Sequence, residues 1–289
     1  MIKKISLIKD FLKKNKLSFF LFTNSDVHLN ESPNLDLKDV YNLVGFDCSR
    51  GYLLVFYDKI VFFTDSRYTL AAHKHFKSNV LILDLKKSSI SDYLNSLGDN
   101  FNGGIDSQLI SVSEFNLISK KLEKNNIKII PFRNSPLIKN YYPDFNKSYS
   151  FSLPKSHIPR QFKKNLSWVR ESIKTEGLLI WNNAHIAYLL NIRSFELENS
   201  TKPFAGLFIF KKNKKPIIIS NDNSMKEIIK IQNNFLIIPN ENFVSHILKQ
   251  KIKSIELDYE YNNLFNYLSL EEICKIQNSK IDLDKFISK

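Results

Sequence analysis

The chain has 289 residues, 43 % of them hydrophobic and 13 % aromatic, and a formal net charge of +13 at pH 7. That supply of apolar side chains suffices for two packed cores and excludes a disordered composition. No apolar run reaches the ~20 residues of a membrane span, and the two cysteines, Cys48 and Cys274, fall in different halves and form no disulfide framework.

The opening MIKKISLIKDFLKKNKLSFF places Ile5, Ile8, Phe11 and Leu12 at helical spacing, broken by charges. That pattern predicts an amphipathic helix and not a signal peptide, so the expected location is the cytoplasm, without a membrane partner. An apolar strand over Leu17 to Phe22 comes next, then a polar loop and a short helix around Leu37 to Leu43 closed by Gly45. The apolar runs Tyr52–Tyr57 and Ile60–Thr64, separated by Asp58-Lys59, predict a hairpin. A helix (Arg67–Phe76), a strand (Val80–Leu83) and a helix (Ile90–Leu97) follow. The first half ends with a strand closing on Gly104-Ile105-Asp106, a long helix (Val112–Lys124) and a strand (Ile127–Pro131).

The second half repeats this order. A helix (Phe162–Ile173), the strand Leu178–Trp181 and the helix Ala184–Leu190 lead to a hairpin, Gly206–Phe210 with Pro216–Ser220, turned by Lys211 to Lys215. A helix (Met225–Ile231), a strand (Phe235–Ile238), a helix (Phe243–Lys249), the strand Ile255–Asp258, the helix Asn263–Ile276 and a closing segment, Ile281–Leu283, complete it. Asp106 and Asp258 occupy matching strand-end slots. Parallel order over so many elements points to an internal duplication. Hairpins mixed with strand–helix–strand crossovers imply, in each copy, a mixed sheet covered by helices. Pro136, Pro143, Pro154 and Pro159 bar a helix between the copies. The expected organisation is a domain over 1–133, a linker over 134–159 and a second domain over 160–289.

The positive charge is nearly all lysine, scattered in pairs such as Lys13-Lys14, Lys86-Lys87, Lys120-Lys121 and Lys214-Lys215, while arginine occurs at 50, 67, 133, 160, 170 and 193. Nucleic-acid readers cluster their cations and favour the arginine fork. A lysine-coated surface is therefore expected, and a nucleic-acid partner is not. The six histidines, at 28, 73, 75, 157, 185 and 246, form no HExxH-type pair, and His185 and His246 are expected at the surface or at caps. With seven glycines there is neither a Walker loop nor a GxGxxG or GxSxG motif.

Three loops carry chemistry-bearing residues. In SDVHLNE, Asp26, His28 and Glu31 could bind the local backbone or form a polar rim around a cleft. Asp65 and Arg67, in TDSRY, read as a helix N-cap. Arg193, in LLNIRSFE, could bond the open carbonyls of a helix end or point into a cleft to meet a carboxylate.

In order and spacing these loops resemble the Xaa-Pro aminopeptidase (aminopeptidase P) family, whose amino-terminal part is a tandem creatinase-type domain. SDVHLNE, LVGFDCSRGYLLV and FFTDSRYTLAA resemble the family's D-x-H-x-x-E, GF-x-GS-x-G and TD-G-RY-x-x-QA runs, and GGIDSQLIS its G-x-D-x-x-x-S step. NNAHIAYLLNIRSFELENSTKPF resembles LD-x-IAWLLN-x-RG-x-D-x-x-x-NP-x-F. Cys48, Arg50, Ser66 and Ser194 stand where the family has glycine or another small residue, so reshaped turns are expected.

The resemblance implies an α/β fold: two tandem creatinase/prolidase N-terminal-like domains, each a mixed sheet flanked by helices with a ribonuclease H-like motif. It marks Asp26, His28, Glu31, Asp65, Arg67, Tyr68, Asn191 and Arg193 as substrate-cleft candidates. Family enzymes continue into a pita-bread domain whose two Asp, one His and two Glu hold two divalent metals, typically manganese. The chain stops about where that domain should begin, so no catalytic or metal-binding residue and no bound cofactor are expected here. The implied role is the non-catalytic front portion of such a metallopeptidase, serving substrate access and subunit contact without hydrolysis of its own. Its expected partner is a second copy or a separately encoded catalytic domain. The alternatives are a scaffold module or an idle gene remnant.

Overall fold

In the computed structural model the described residues are 2–76, 80–137, 141–145, 149–157, 162–225 and 235–287. The chain divides into two compact units, Met1–Tyr141 and Tyr142–Lys289. The division falls inside the proline-containing segment 134–159.

The first unit runs α1 (Ile2–Asn15), β1 (Phe19–Thr23), α2 (Asp39–Val44), β2 (Gly51–Phe56), β3 (Ile60–Thr64), α3 (Thr69–Phe76), β4 (Leu81–Asp84), α4 (Ile90–Ser96), β5 (Asn102–Asp106), α5 (Val112–Leu122) and β6 (Lys128–Phe132). The strands form one sheet in the order β4-β3-β2-β1-β5-β6. Only β2 runs against the others, pairing antiparallel with β1 and β3, while β3–β4, β1–β5 and β5–β6 are parallel. Alternation along the strands sends Phe20, Phe22, Leu53, Val55 and Phe62 to one face, where Ile8 and Leu12 of α1, Val40 and Leu43 of α2, and Ala72 and Phe76 of α3 cover them. On the opposite face Phe63 meets Tyr93 of α4 edge-on at 5.7 Å. Gly103 matters there: a Cβ on it would lie 2.0 Å from the Phe19 ring. The phenylalanine packs flat over the neighbouring strand only because that side chain is missing.

The second unit runs β7 (Ser150–Ser152), α6 (Phe162–Ser172), β8 (Gly177–Ile180), α7 (Asn183–Leu190), β9 (Ile192–Ser194), β10 (Gly206–Phe210), β11 (Ile217–Ile219), β12 (Leu236–Ile238), α8 (Phe243–Lys249), β13 (Ser254–Leu257), α9 (Leu264–Glu271), β14 (Lys275–Asn278) and α10 (Leu283–Ile287). Its sheet, β12-β11-β10-β8-β13-β14, repeats the first one strand for strand, with β10 the single reversed member. Val169 of α6, Ile186 and Leu190 of α7, and Phe286 of α10 pack on one face, and Phe243 of α8 meets Phe208 on the other. The duplicated mixed sheet flanked by helices is thus the architecture of both units.

Four features differ from the sequence reading. The helix expected over Asn263–Ile276 stops at Glu271, and Lys275–Asn278 becomes the edge strand β14. Three of the four β14 residues are exposed, so the strand carries none of the apolar alternation that would mark it. The closing segment at Ile281–Leu283 leads into a helix, α10. The ribbon β7–β9, antiparallel over Ser150–Ser152 and Ile192–Ser194, was not foreseen. Part of the expected linker is structural: Leu137 joins the first core, and Tyr141 donates to Asp106 Oδ2 (2.5 Å) and accepts from Ser135 N (2.7 Å). Proline bars helix in this segment but not extended pairing or side-chain anchoring. Pro159, Arg160 and most of the expected helix Met225–Ile231 lie outside the described residues.

Candidate functional site

In each sheet the parallel strands end at one edge, and the single reversed strand begins there. In the first unit Thr23 pairs with Tyr52, Gly51 with Thr64 and Thr64 with Asp84. The loops after β1 and β3 and the start of β2 therefore share the carboxyl edge of the sheet, where open α/β folds place ligands. Asp26, His28, Asp65, Arg67, Tyr68 and Asp106 all belong to that edge.

The loop after β1 folds onto its own aspartate. Asp26 Oδ1 accepts from the backbone N–H of His28 (2.9 Å) and Asn30 (3.2 Å), and Oδ2 from Asn30 Nδ2 (2.9 Å). Asp26 and His28 are buried, whereas Glu31 is exposed. Of the two readings of this loop, the local backbone role describes Asp26.

After β3, Asp65 Oδ1 accepts from Arg67 N (2.9 Å) and Nε (3.0 Å), and Oδ2 from Nη2 (2.7 Å). These bonds hold the Asp65 carboxyl below the ordinary carboxylate range. Because Asp65 ties down the Arg67 N–H in a turn, α3 starts at Thr69 and not at Arg67 as the sequence suggested. Arg67 Nη2 reaches Ser49 Oγ (3.2 Å), its guanidinium lies 5.3 Å from the Tyr68 ring centre, and the Tyr68 hydroxyl meets Ser49 Oγ at 3.3 Å. Asp65, Arg67, Tyr68 and Ser49 thus form one cluster, in which Arg67 is exposed and the other three are half-buried. Nearby, the Tyr52 hydroxyl donates to Glu114 Oε1. Burial pushes both groups above their usual ranges, and Arg50 beside Tyr52 acts in the opposite sense.

In the second unit Asn191 ends α7 in the left-handed region (φ 54°), and its carbonyl accepts from Leu153 N at 2.9 Å. Arg193, on β9, donates from Nη1 to the carbonyls of Ala187 and Ile192, both at 2.9 Å. The helix-end reading therefore describes these Arg193 bonds, and burial lowers its pKa.

Sequence reasoning missed a buried acid at this edge. After β11, Asp222 Oδ2 accepts from Ser150 Oγ (2.9 Å) and Ser224 Oγ (2.6 Å), while Oδ1 accepts from Ser224 N (2.8 Å). Ser150 Oγ also meets Ser194 Oγ at 3.0 Å, and Glu196 Oε2 accepts from Phe204 N. Burial pushes Asp222 up, but bonds from Glu196, Ser224 and Ser150 outweigh it and leave the carboxyl below its ordinary range. The string SNDNS around Asp222 was the available signal, an Asx- and serine-rich turn directly after a strand.

His185 was expected at the surface or as a cap. It is instead buried, with Nε2 2.8 Å from Asp284 Oδ1 and its ring edge-on to Tyr261 at 5.1 Å. The Tyr261 hydroxyl donates to Asp284 Oδ2 (3.0 Å), so two contacts fasten α10 to the rest of the unit. The His185 bond holds Asp284 below the carboxylate range, whereas burial raises neighbouring Asp258.

Chemically these edges bind their own loops. Ser150 has an aspartate partner, but no histidine links the two into a nucleophile–base relay. Among the described residues no group of three or more His, Cys, Asp or Glu side chains could hold a metal ion. The described donors thus do not fit the family's pair of divalent metals.

Residues 4–138 match the creatinase/prolidase N-terminal domain. Over 247 residues the chain is 25 % identical to Xaa-Pro aminopeptidase 1 of Dictyostelium discoideum, an alignment that covers 80 % of this chain and 39 % of that protein. Over most of its length the chain is similar to Xaa-Pro aminopeptidases, and its first unit carries the creatinase/prolidase N-terminal domain. Its fold is that of the X-prolyl aminopeptidase from Caenorhabditis elegans, described as a cytosolic enzyme with a di-nuclear active site. The TM-score is 0.82 at 16 % identity, over 96 % of this chain and 50 % of that one. The chain thus spans 39 % of the Dictyostelium protein and 50 % of the nematode one. Where it departs from the Xaa-Pro aminopeptidase motifs, the turns are not strained: Cys48, Arg50, Ser66 and Ser194 are absent from the residues with positive φ. Cys48 is instead buried, which pushes its thiol up to about 11, and Asn24 Nδ2 donates to its carbonyl at 2.6 Å.

Proposed function

We propose that this chain serves as the amino-terminal portion of an Xaa-Pro aminopeptidase-like metallopeptidase, shaping substrate access and subunit contact while hydrolysing no peptide by itself. The observation that carries this reading is the extent of the structural match, which covers 96 % of this chain but 50 % of the nematode aminopeptidase. The local bonding of Asp26, Arg193 and Asp222 supports it, because side chains committed to their own loops suit a wall better than a reaction centre. In this reading two divalent metals, typically manganese, belong to a catalytic domain outside these residues, in a second polypeptide or a continuation of the same one. The proposed compartment is the cytoplasm. The test is a peptidase assay of the purified chain with manganese and an Xaa-Pro peptide, following the released amino acid. No release above the metal-only control is expected, and turnover overturns the reading.

A second reading is a binding module that dimerises or docks a separately encoded catalytic chain. It is favoured by the outer face of the β7–β9 ribbon, where Tyr149, Phe151 and Phe195 stack at 6.0 and 5.8 Å. Tyr149 and Phe195 stay 63 % and 57 % exposed. Under this reading the double substitution Tyr149→Ser and Phe195→Ser abolishes association in sedimentation while the thermal midpoint holds.

A further inference from the structure

The geometry points to a binding site for a small phosphorylated molecule on the second unit, between α6 and the turn joining β10 to β11. The inference is independent of the aminopeptidase reading. A cavity of about 340 Å³ opens there, lined by Lys163, Arg170, Lys214 and Lys215 and walled by Phe162, Leu166 and Pro216. That volume is in the range of small-ligand sites. No Asp or Glu is among its lining residues.

Arg170 is the centre of the argument. Its Nε donates to the Phe210 carbonyl (3.2 Å), Nη1 to Asn213 Oδ1 (2.8 Å) and Nη2 to the Lys214 carbonyl. All three acceptors are neutral, and among the described residues Arg170 pairs with no carboxylate. Burial alone acts on its pKa and lowers it, yet a guanidinium stays charged at any physiological pH. A half-buried, fixed cation without a counter-charge is costly unless an anion completes it. The three bonds hold the fork rigid, and each terminal nitrogen keeps a second N–H that these bonds do not use. Helical spacing puts Lys163 and Ser167 on the same face of α6 as Arg170. Fixed guanidinium, lysines and an apolar wall match a multiply charged phosphate that carries an organic group.

The experiment uses the full chain and inorganic pyrophosphate as probe, in thermal unfolding and isothermal titration against sodium chloride of equal ionic strength. Pyrophosphate is expected to raise the midpoint where chloride does not, with a dissociation constant below about 1 mM. Arg170→Gln removes three ties to the turn and could unfold it, so the deciding variant is Lys163→Gln, an exposed residue. It is expected to weaken binding about tenfold with the ligand-free midpoint unchanged. The control Lys120→Gln/Lys121→Gln, in the other unit, should leave binding intact. Equal stabilisation by chloride, unchanged affinity in Lys163→Gln, or an equal loss in the control overturns the proposal.

Discussion

Each sheet is followed, just past its third strand in chain order, by an aspartate, and the two copies treat it differently. After β3, Asp65 meets Arg67 in a pair whose side chains are 24 % and 68 % exposed. After β11, Asp222 is 1 % exposed and is shared by two serines and a second carboxyl, Glu196. One backbone topology therefore supports either a solvated ion pair or a buried acid network in the loop after the same strand. What differs is the covering: the β7–β9 ribbon brings Ser150 over Asp222, and among the described residues no ribbon of this kind accompanies Asp65. Topology fixes where an edge group stands, while the segment laid over it decides whether water or protein supplies its partners.

The comparison can be broken most directly by Asp222→Ala, which strands Ser150, Ser224 and Glu196 in a buried site. It is expected to cost about 3 kcal/mol in urea unfolding. A loss no greater than that of Asp65→Ala would show that the buried network adds nothing. Next in size is Tyr52→Phe, which removes the hydroxyl serving Glu114, at about 1–2 kcal/mol in the same measurement.

Glu114, half-buried, and Asp222, buried, also differ in sign with pH. Glu114 is raised in the folded chain, so its contribution is full below the unfolded value of about 4.3 and is lost as pH rises through the folded one. Asp222 is lowered, so its contribution is present above about 3.9 and is lost as pH falls through the folded value. Relative to the parent chain, Glu114→Gln should gain stability as pH rises above the carboxylate range, and Asp222→Asn should gain as pH falls below it. Unfolding curves between pH 3 and 8 read both, and parallel curves would refute the assignment. The smallest effect belongs to Arg67→Ala, below about 1 kcal/mol and shrinking further in 0.5 M salt, as expected of an exposed pair.

Much of the fold was legible because hydrophobic periodicity is strong where strands are buried on both faces. The run from Leu53 to Phe56 and the hairpin partner Ile60–Thr64 left no other assignment. The misses lie where tertiary context outweighs pattern. The edge strand β14 is mostly exposed, and the ribbon strands β7 and β9 have three residues each, too short for alternation to show. Among the site residues, the sequence placed Asp26, Asp65 and Arg193 in loops and offered the local roles that describe their bonds. It did not show that His185 and Asp284, 99 positions apart, would meet. Nor did it single out Arg170, whose interest lies in a partner it lacks among the described carboxylates.

By itself the sequence determined the α/β class, the duplicated order of elements and the resemblance to Xaa-Pro aminopeptidases. Those properties are written in local periodicity and in motifs whose order survives along the chain. Only the tertiary structure decided which acids are buried, which of them meet and which cation stands without a counter-charge among the described residues. Such properties depend on distances and on exclusion of water between residues far apart in the chain, and neither is encoded in any single segment.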